Sequence, residues 1–139
     1  AARDSLRDEL VPINKRYPLA DLVKACADYL LKKNRRVSFE WAMIDGINDQ
    51  PQDARELARL CKRLRPAAHV NLIPLNPTPG WPTKGTSPEG VREFARQLED
   101  LGVNVTIRRN RGTDIDAACG QLAAGQPIKL GARRVVTAE

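Results

Sequence analysis

Little in this chain favours disulfide or zinc chemistry. It has one histidine, and its three cysteines, Cys26, Cys61 and Cys119, stand far apart with no CxxC pair among them. An odd, scattered set argues against a disulfide framework and a zinc knuckle, and the missing CxxC weakens a thiol-redox reading. A reducing compartment, the cytoplasm, is the expected location. No apolar run approaches the roughly 18 residues that cross a bilayer, and no charged-then-apolar leader opens the chain. Aromatics are scarce too, two each of Trp, Tyr and Phe in 139 residues. That describes an ordinary soluble domain with an aliphatic core.

What is abundant is positive charge. The net charge is +6 and the pI about 9.6, a balance that favours a polyanionic partner such as RNA or DNA.

The opening stretch, AARDSLRDELVPINKRYPL, reads as a polar loop with no strand ahead of it. Leu19, Leu22, Val23, Cys26, Tyr29 and Leu30 then recur three and four apart, one face of a helix over Pro18–Lys33. Asn34 suits a left-handed stop. Val37, Phe39, Trp41 and Met43 alternate with Ser38, Glu40 and Ala42 as a half-buried strand does. A second helix buries Ala54, Leu57, Ala58, Cys61 and Leu64. HVNLIPLN is a short, mostly apolar strand of the kind parallel sheets use. Ser87 caps a third helix with Pro88 at its first position, and Gly102 ends it. VNVTIRR is a third strand.

Alternation of this kind predicts an α/β fold of parallel units, an open sheet or a (βα) barrel. The first helix lacks a preceding strand, and three parallel strands leave open edges. The expectation is the C-terminal piece of a larger βα structure. Its exposed edges leave self-association open.

The active face of such folds lies at the carboxyl ends of the strands. IDGIND, NPTPGWPTKG and RNRGTDIDAACGQ occupy it here. Cys26 and Cys61 fall on helix core stripes and read as packing. Cys119, among Ala117, Ala118 and Gly120, is either a small residue in a tight place or a reactive thiol in the field of Arg108, Arg109 and Arg111. Those arginines are also the best-placed candidates for phosphate contacts. Glu40 points away from the helices, where a carboxylate is either ion-paired or used. Asn76 either forms the turn before Pro77 or clamps a ligand edge, since an amide both donates and accepts. His69 opens a strand, a poor place for catalysis. No metal-ligating set is apparent.

Three stretches taken together, RDELVPINKRYPL, VNLIPLNPTPG and RGTDIDAACGQLA, resemble the C-terminal part of the RlmN/Cfr family of radical-SAM RNA methyltransferases. VSFEWAMIDGIND fits the same pattern, and the likeness runs without a gap from Arg7 to Gly125. The resemblance implies a partial (βα) radical-SAM barrel with an N-terminal accessory domain. It implies S-adenosylmethionine and a [4Fe-4S] cluster as cofactors, an electron donor for the cluster, and 23S rRNA and tRNA as substrates. The adenine C2 position would be methylated; the wording of the motifs favours it over C8. The position of Cys119 corresponds to the methyl-carrying cysteine, and that of Asn76 to an S-adenosylmethionine contact. A second cysteine of the family, which resolves the protein–RNA crosslink, has no counterpart here.

On this basis residues 1–113 are the C-terminal half of the barrel and 114–139 the cysteine-bearing loop and tail. The accessory domain, the CxxxCxxC cluster motif, the Gly-Glu-Pro segment and the serine-bearing strand have no match in this chain. Asn110 and Thr113 depart from the family wording. The chain alone is therefore expected to be inactive. The competing expectation is a non-catalytic basic RNA-binding βα module.

Overall fold

The computed structural model describes residues 1–64, 68–76 and 83–108. Three strands, β1 (Val37–Met43), β2 (Ala68–Pro74) and β3 (Asn104–Ile107), form one sheet in the order β1-β2-β3. Both pairings are parallel, with Glu40 opposite Asn71 and Asn71 opposite Thr106. Helix α2 (Leu19–Lys33) precedes β1, α3 (Pro51–Lys62) joins β1 to β2, and α4 (Pro88–Asp100) joins β2 to β3. Strands alternating with helices in a parallel α/β layer is the architecture the sequence pattern predicts.

Local chemistry explains each boundary. Asn34 ends α2 at φ 48°, the left-handed region that asparagine tolerates better than most residues. Pro18 sits outside α2 as its extended N-cap rather than in its first turn. At α3 the Gln50 side chain accepts from the third helical amide while Asp53 accepts from the Gln50 amide, a reciprocal capping box. Ser87 Oγ accepts from the Gly90 amide at 3.1 Å to cap α4, and Gly102 leaves that helix at φ 74°.

The core lies on one face of the sheet. Trp41 and Met43 from β1, Val70 and Leu72 from β2, and Leu57, Cys61, Val91, Phe94 and Leu98 from α3 and α4 are all buried. Trp41 stacks on Phe94 with ring centroids 6.1 Å apart. Val23 of α2 joins the same cluster.

The opening stretch differs from the loop its polarity predicts. Residues Asp4–Leu10 form a helix, α1, followed by a 3-10 turn at Pro12–Lys15. No residue of α1 is buried, so apolar periodicity had nothing to reveal. A single side chain organises the segment instead. Asn14 is 1% exposed, and its Nδ2 donates to Asp4 Oδ1 at 2.9 Å and to Asp8 Oδ1 at 2.7 Å. Asp4 also accepts from the Leu19 amide at 2.9 Å, tying α1 to the start of α2. Arg3 donates to the buried Asp53 at 2.9 Å, which fastens the segment to α3.

Two outcomes follow from this packing. Leu98 is fully buried, so Leu98→Ala is expected to cost about 3 kcal/mol by lost transfer energy and cavity formation; urea unfolding followed by circular dichroism checks it. The Asp4 carboxyl is held below its ordinary value of 3.8, first by the Leu19 amide and then by the Asn14 side chain. A depressed acid stabilises the folded state above its unfolded pKa and loses that contribution as pH falls through the lowered one. The N-terminal segment should therefore loosen on acidification below the ordinary value, and Asp4→Asn should remove that step from an amide-exchange profile against pH.

Candidate functional site

A parallel sheet with helices on one face presents its other side chains on the opposite face. Here that face is polar. Ser38 and Glu40 of β1, His69 and Asn71 of β2, and Asn104 and Thr106 of β3 lie side by side by register. Asn71 Nδ2 donates to Glu40 Oε1 at 2.7 Å. The amide oxygen of Asn71 then faces His69 Nε2 at 3.1 Å, and Thr106 Oγ1 lies 3.1 Å from the same nitrogen. The His69 ring is thus held between the Asn71 amide and the Thr106 hydroxyl. Arg108 continues the β3 ladder with its amide on the Leu72 carbonyl at 2.8 Å. Its guanidinium reaches to 3.9 Å from Glu40 Oε2. Glu40 is thus paired, and it also faces open space.

That space is a cavity of about 470 Å³ at the carboxyl ends of β1 and β2. Its floor is Trp41, Ala42 and Ile44; α1 and the residue after it contribute Arg7, Leu10 and Val11; the exit of β2 contributes Leu75 and Asn76; and Thr83 closes the remaining side. Its size falls within the range of small-molecule sites. Glu40 brings a carboxylate, Arg7 a guanidinium, and Asn48 and Asn76 amides. Among the described residues, the Nε of Arg7 and the Oγ1 of Thr83 are buried with no hydrogen-bond partner.

The IDGIND turn builds one rim rather than supplying reactive groups. Asn48 is 3% exposed. Its Oδ1 accepts from the Ile44 amide at 2.8 Å, its Nδ2 donates to the Ala42 carbonyl at 2.8 Å, and its own carbonyl accepts from Trp41 Nε1 at 3.3 Å. Asp49 accepts from Thr86 Oγ1 at 2.8 Å, and Ile44 bridges Gly85. Gly85 packs so closely on the Leu75 backbone that a Cβ would collide with it. The two strand-end segments are stitched together around the cavity mouth.

Of the residues the sequence singles out, Asn76 lines the cavity and Arg108 stands at the end of β3, beside Glu40. Cys119, Arg109 and Arg111 lie outside the described residues, as does the boundary at residues 113 and 114. His69 sits where β2 begins, held by Asn71 and Thr106. Arg7 and Thr83 as cavity walls, and Asn71 and Thr106 as partners on the polar face, are not apparent in the sequence reading. Among the described residues no group of three or more His, Cys, Asp or Glu side chains could hold a metal ion. No helix of the described residues is long and apolar enough to cross a membrane.

A parallel α/β layer with a cavity at its strand ends is the class to which radical-SAM methyltransferases belong, and a solved structure agrees. The chain superposes with a TM-score of 0.81 on a radical SAM methyltransferase from Sphaerobacter thermophilus, at 50% identity, covering 87% of this chain and 35% of that one. In sequence it is 52% identical over 122 residues to the "Probable dual-specificity RNA methyltransferase RlmN" of Desulforudis audaxviator (strain MP104C), covering 88% of this chain and 38% of that protein. It is 48% identical to the "Dual-specificity RNA methyltransferase RlmN" of Anaeromyxobacter dehalogenans (strain 2CP-C), covering 89% of this chain and 33% of that protein. No family model matches. The chain is thus similar to RlmN-type radical-SAM methyltransferases, and it spans about a third of the length of these relatives.

Both cysteines of the described residues are shifted away from the thiolate by burial. Burial pushes the Cys61 thiol up to about 11, and burial also raises Cys26. Thiolate is the reactive form. Cys61 should resist a thiol reagent at pH 8 in the native protein and react fully in denaturant; peptide mapping after timed alkylation reads the difference.

Proposed function

We propose that this chain is the C-terminal portion of a cytoplasmic radical-SAM RNA methyltransferase that methylates C2 of an adenosine in 23S rRNA and in tRNA. Residues 1–113 form the second half of its barrel, and residues 114–139 its cysteine-bearing loop and tail. The observation that carries this reading is the strand-end cavity with Asn76 in its wall, found in a chain half identical to RlmN proteins.

The cavity residues suit S-adenosylmethionine. The Asn76 amide can both donate to and accept from a ligand edge. Arg7 offers positive charge to a carboxylate and Glu40 negative charge to an ammonium or sulfonium. Trp41, Ile44 and Leu75 give apolar surface to a nucleoside. Of two S-adenosylmethionine molecules bound there in turn, one would supply the methyl group and the other the source of a radical. The cysteines of the described residues do not suit an iron–sulfur cluster: Cys26 and Cys61 are 35 positions apart in the chain, on two different helices. The cluster and its electron donor therefore belong to the rest of the parent, and this chain by itself is inactive.

In this reading Cys119 carries the methyl group. Adenine C2 is an electron-poor aromatic carbon, a poor target for direct methyl-cation transfer. A carbon radical on a protein sulfur avoids that step if the base is held in contact with it. The sequence neighbours of Cys119, Ala117, Ala118 and Gly120, are small, as a carrier of an S-methyl group beside a base requires. Arg108, Arg109 and Arg111 neutralise nearby phosphates. Arg108 is placed at the end of β3 by its amide on the Leu72 carbonyl, with the Glu40 carboxylate 3.9 Å from its guanidinium.

Cys119→Ala in the full-length parent is expected to abolish RNA methylation while leaving most RNA binding. Peptide mapping of the wild-type parent from cells should find one added methylene on the Cys119 peptide. Full activity in the Ala variant would overturn the carrier role, and a wild-type parent that binds RNA without methylating it would favour a non-catalytic RNA-binding module.

A further inference from the structure

We propose that Ile13–Tyr17 is a preorganised platform for single-stranded RNA at the rim of the cavity, a site that rests on the reading of this protein as an RNA methyltransferase. Ile13 is 56% exposed and Tyr17 53% exposed. Neither side chain joins the hydrophobic core. Lys15 and Arg16 between them are also exposed. Neither has a carboxylate partner among the described residues, whereas Lys24, Arg59, Arg92 and Arg96 all do.

The segment is fixed in place. Asn14, in its middle, is buried and bonded to both Asp4 and Asp8. With that one side chain turned inward, its neighbours are held outward in a tight 3-10 turn. The Arg16 guanidinium stands 5.3 Å from the Tyr17 ring centroid, which stiffens both side chains. Order imposed before binding reduces the entropy lost when a ligand docks.

The composition identifies the ligand. Single-stranded RNA is held by aromatic and guanidinium faces on which bases stack, combined with cations that neutralise phosphates. Tyr17, Arg16 and Lys15 supply that combination within three residues. A protein-binding patch of this size would be more continuously apolar and poorer in lysine. Location adds a reason. Val11, directly before the turn, lines the cavity, so a strand lying on the platform leads to the mouth of the site where an unpaired adenosine would enter.

The test is RNA binding by the full-length protein, with a fluorescent RNA hairpin carrying an unpaired adenosine and anisotropy read at several salt concentrations. Tyr17→Ala should raise Kd about tenfold, the loss typical of one base stack, and Tyr17→Phe should stay near wild type. Lys15→Ala/Arg16→Ala should lower the salt slope by about 1.5, as for two lost phosphate contacts. Unchanged thermal midpoints keep the comparison free of misfolding. Wild-type affinity and slope in all variants would overturn the platform while leaving the RNA-methyltransferase reading intact. A wild-type protein that fails to bind the hairpin would overturn both. Loss of self-association in Tyr17→Ala by sedimentation, with RNA affinity unchanged, would assign the patch to a second copy of the chain and refute the platform.

Discussion

The parallel register of β1, β2 and β3 is the constraint on which the rest depends. It aligns Glu40 with Asn71 and Thr106, and one residue further along it aligns Trp41 with Leu72 and Ile107. A slip of one residue would exchange the faces and bury a carboxylate where Met43 and Leu72 now have no exposure. The cost of burying that charge and exposing the apolar set fixes the register. The dry face recruits α3 and α4. The other face is polar, and its hydrogen bonds run across the strands from Glu40 to Thr106.

The cavity depends on a second, smaller constraint. A sheet edge alone does not enclose a pocket; α1 must be held over the strand ends. A seven-residue helix without a buried face has little stability of its own. Asn14, Asp4 and the Arg3–Asp53 pair supply what helix propensity does not. Breaking the Arg3–Asp53 pair would leave the Asp53 carboxylate, only 2% exposed, without its charge partner. The same contacts hold Arg7 in the cavity wall and turn Ile13 and Tyr17 outward, so wall and rim share one set of anchors.

These two constraints explain what was legible in the sequence. Alternation in β1 and the stripes of α3 and α4 are local patterns enforced by the core, and each appears in the residues themselves. So do Ser87, Pro88 and Gly102 at the ends of α4, because caps act within one turn. The position of Asn76 follows from its place at the end of a strand. Helix α1 was not legible, because its support comes from side-chain contacts rather than from an apolar stripe. Nor was the polar face of β2: the apolar run VNLIPL hides the shared parity of His69 and Asn71, and their partners Glu40 and Thr106 lie 31 and 37 residues away in sequence. The roles of Cys119, Arg109 and Arg111 rest on motif resemblance and fall outside the described residues.

The charge composition of the two candidate surfaces argues that they take different ligands. The cavity mixes signs: Arg7 and Glu40 share its wall with two amides and an apolar floor. A polyphosphate would meet Glu40 at close range and be repelled. A zwitterion with an aromatic body meets a partner of the right sign at each end. The turn after α1 carries cations alone between an isoleucine and a tyrosine, and nothing in it discriminates against repeated negative charge. Small ligand within and polyanion at the rim is the arrangement these charges favour.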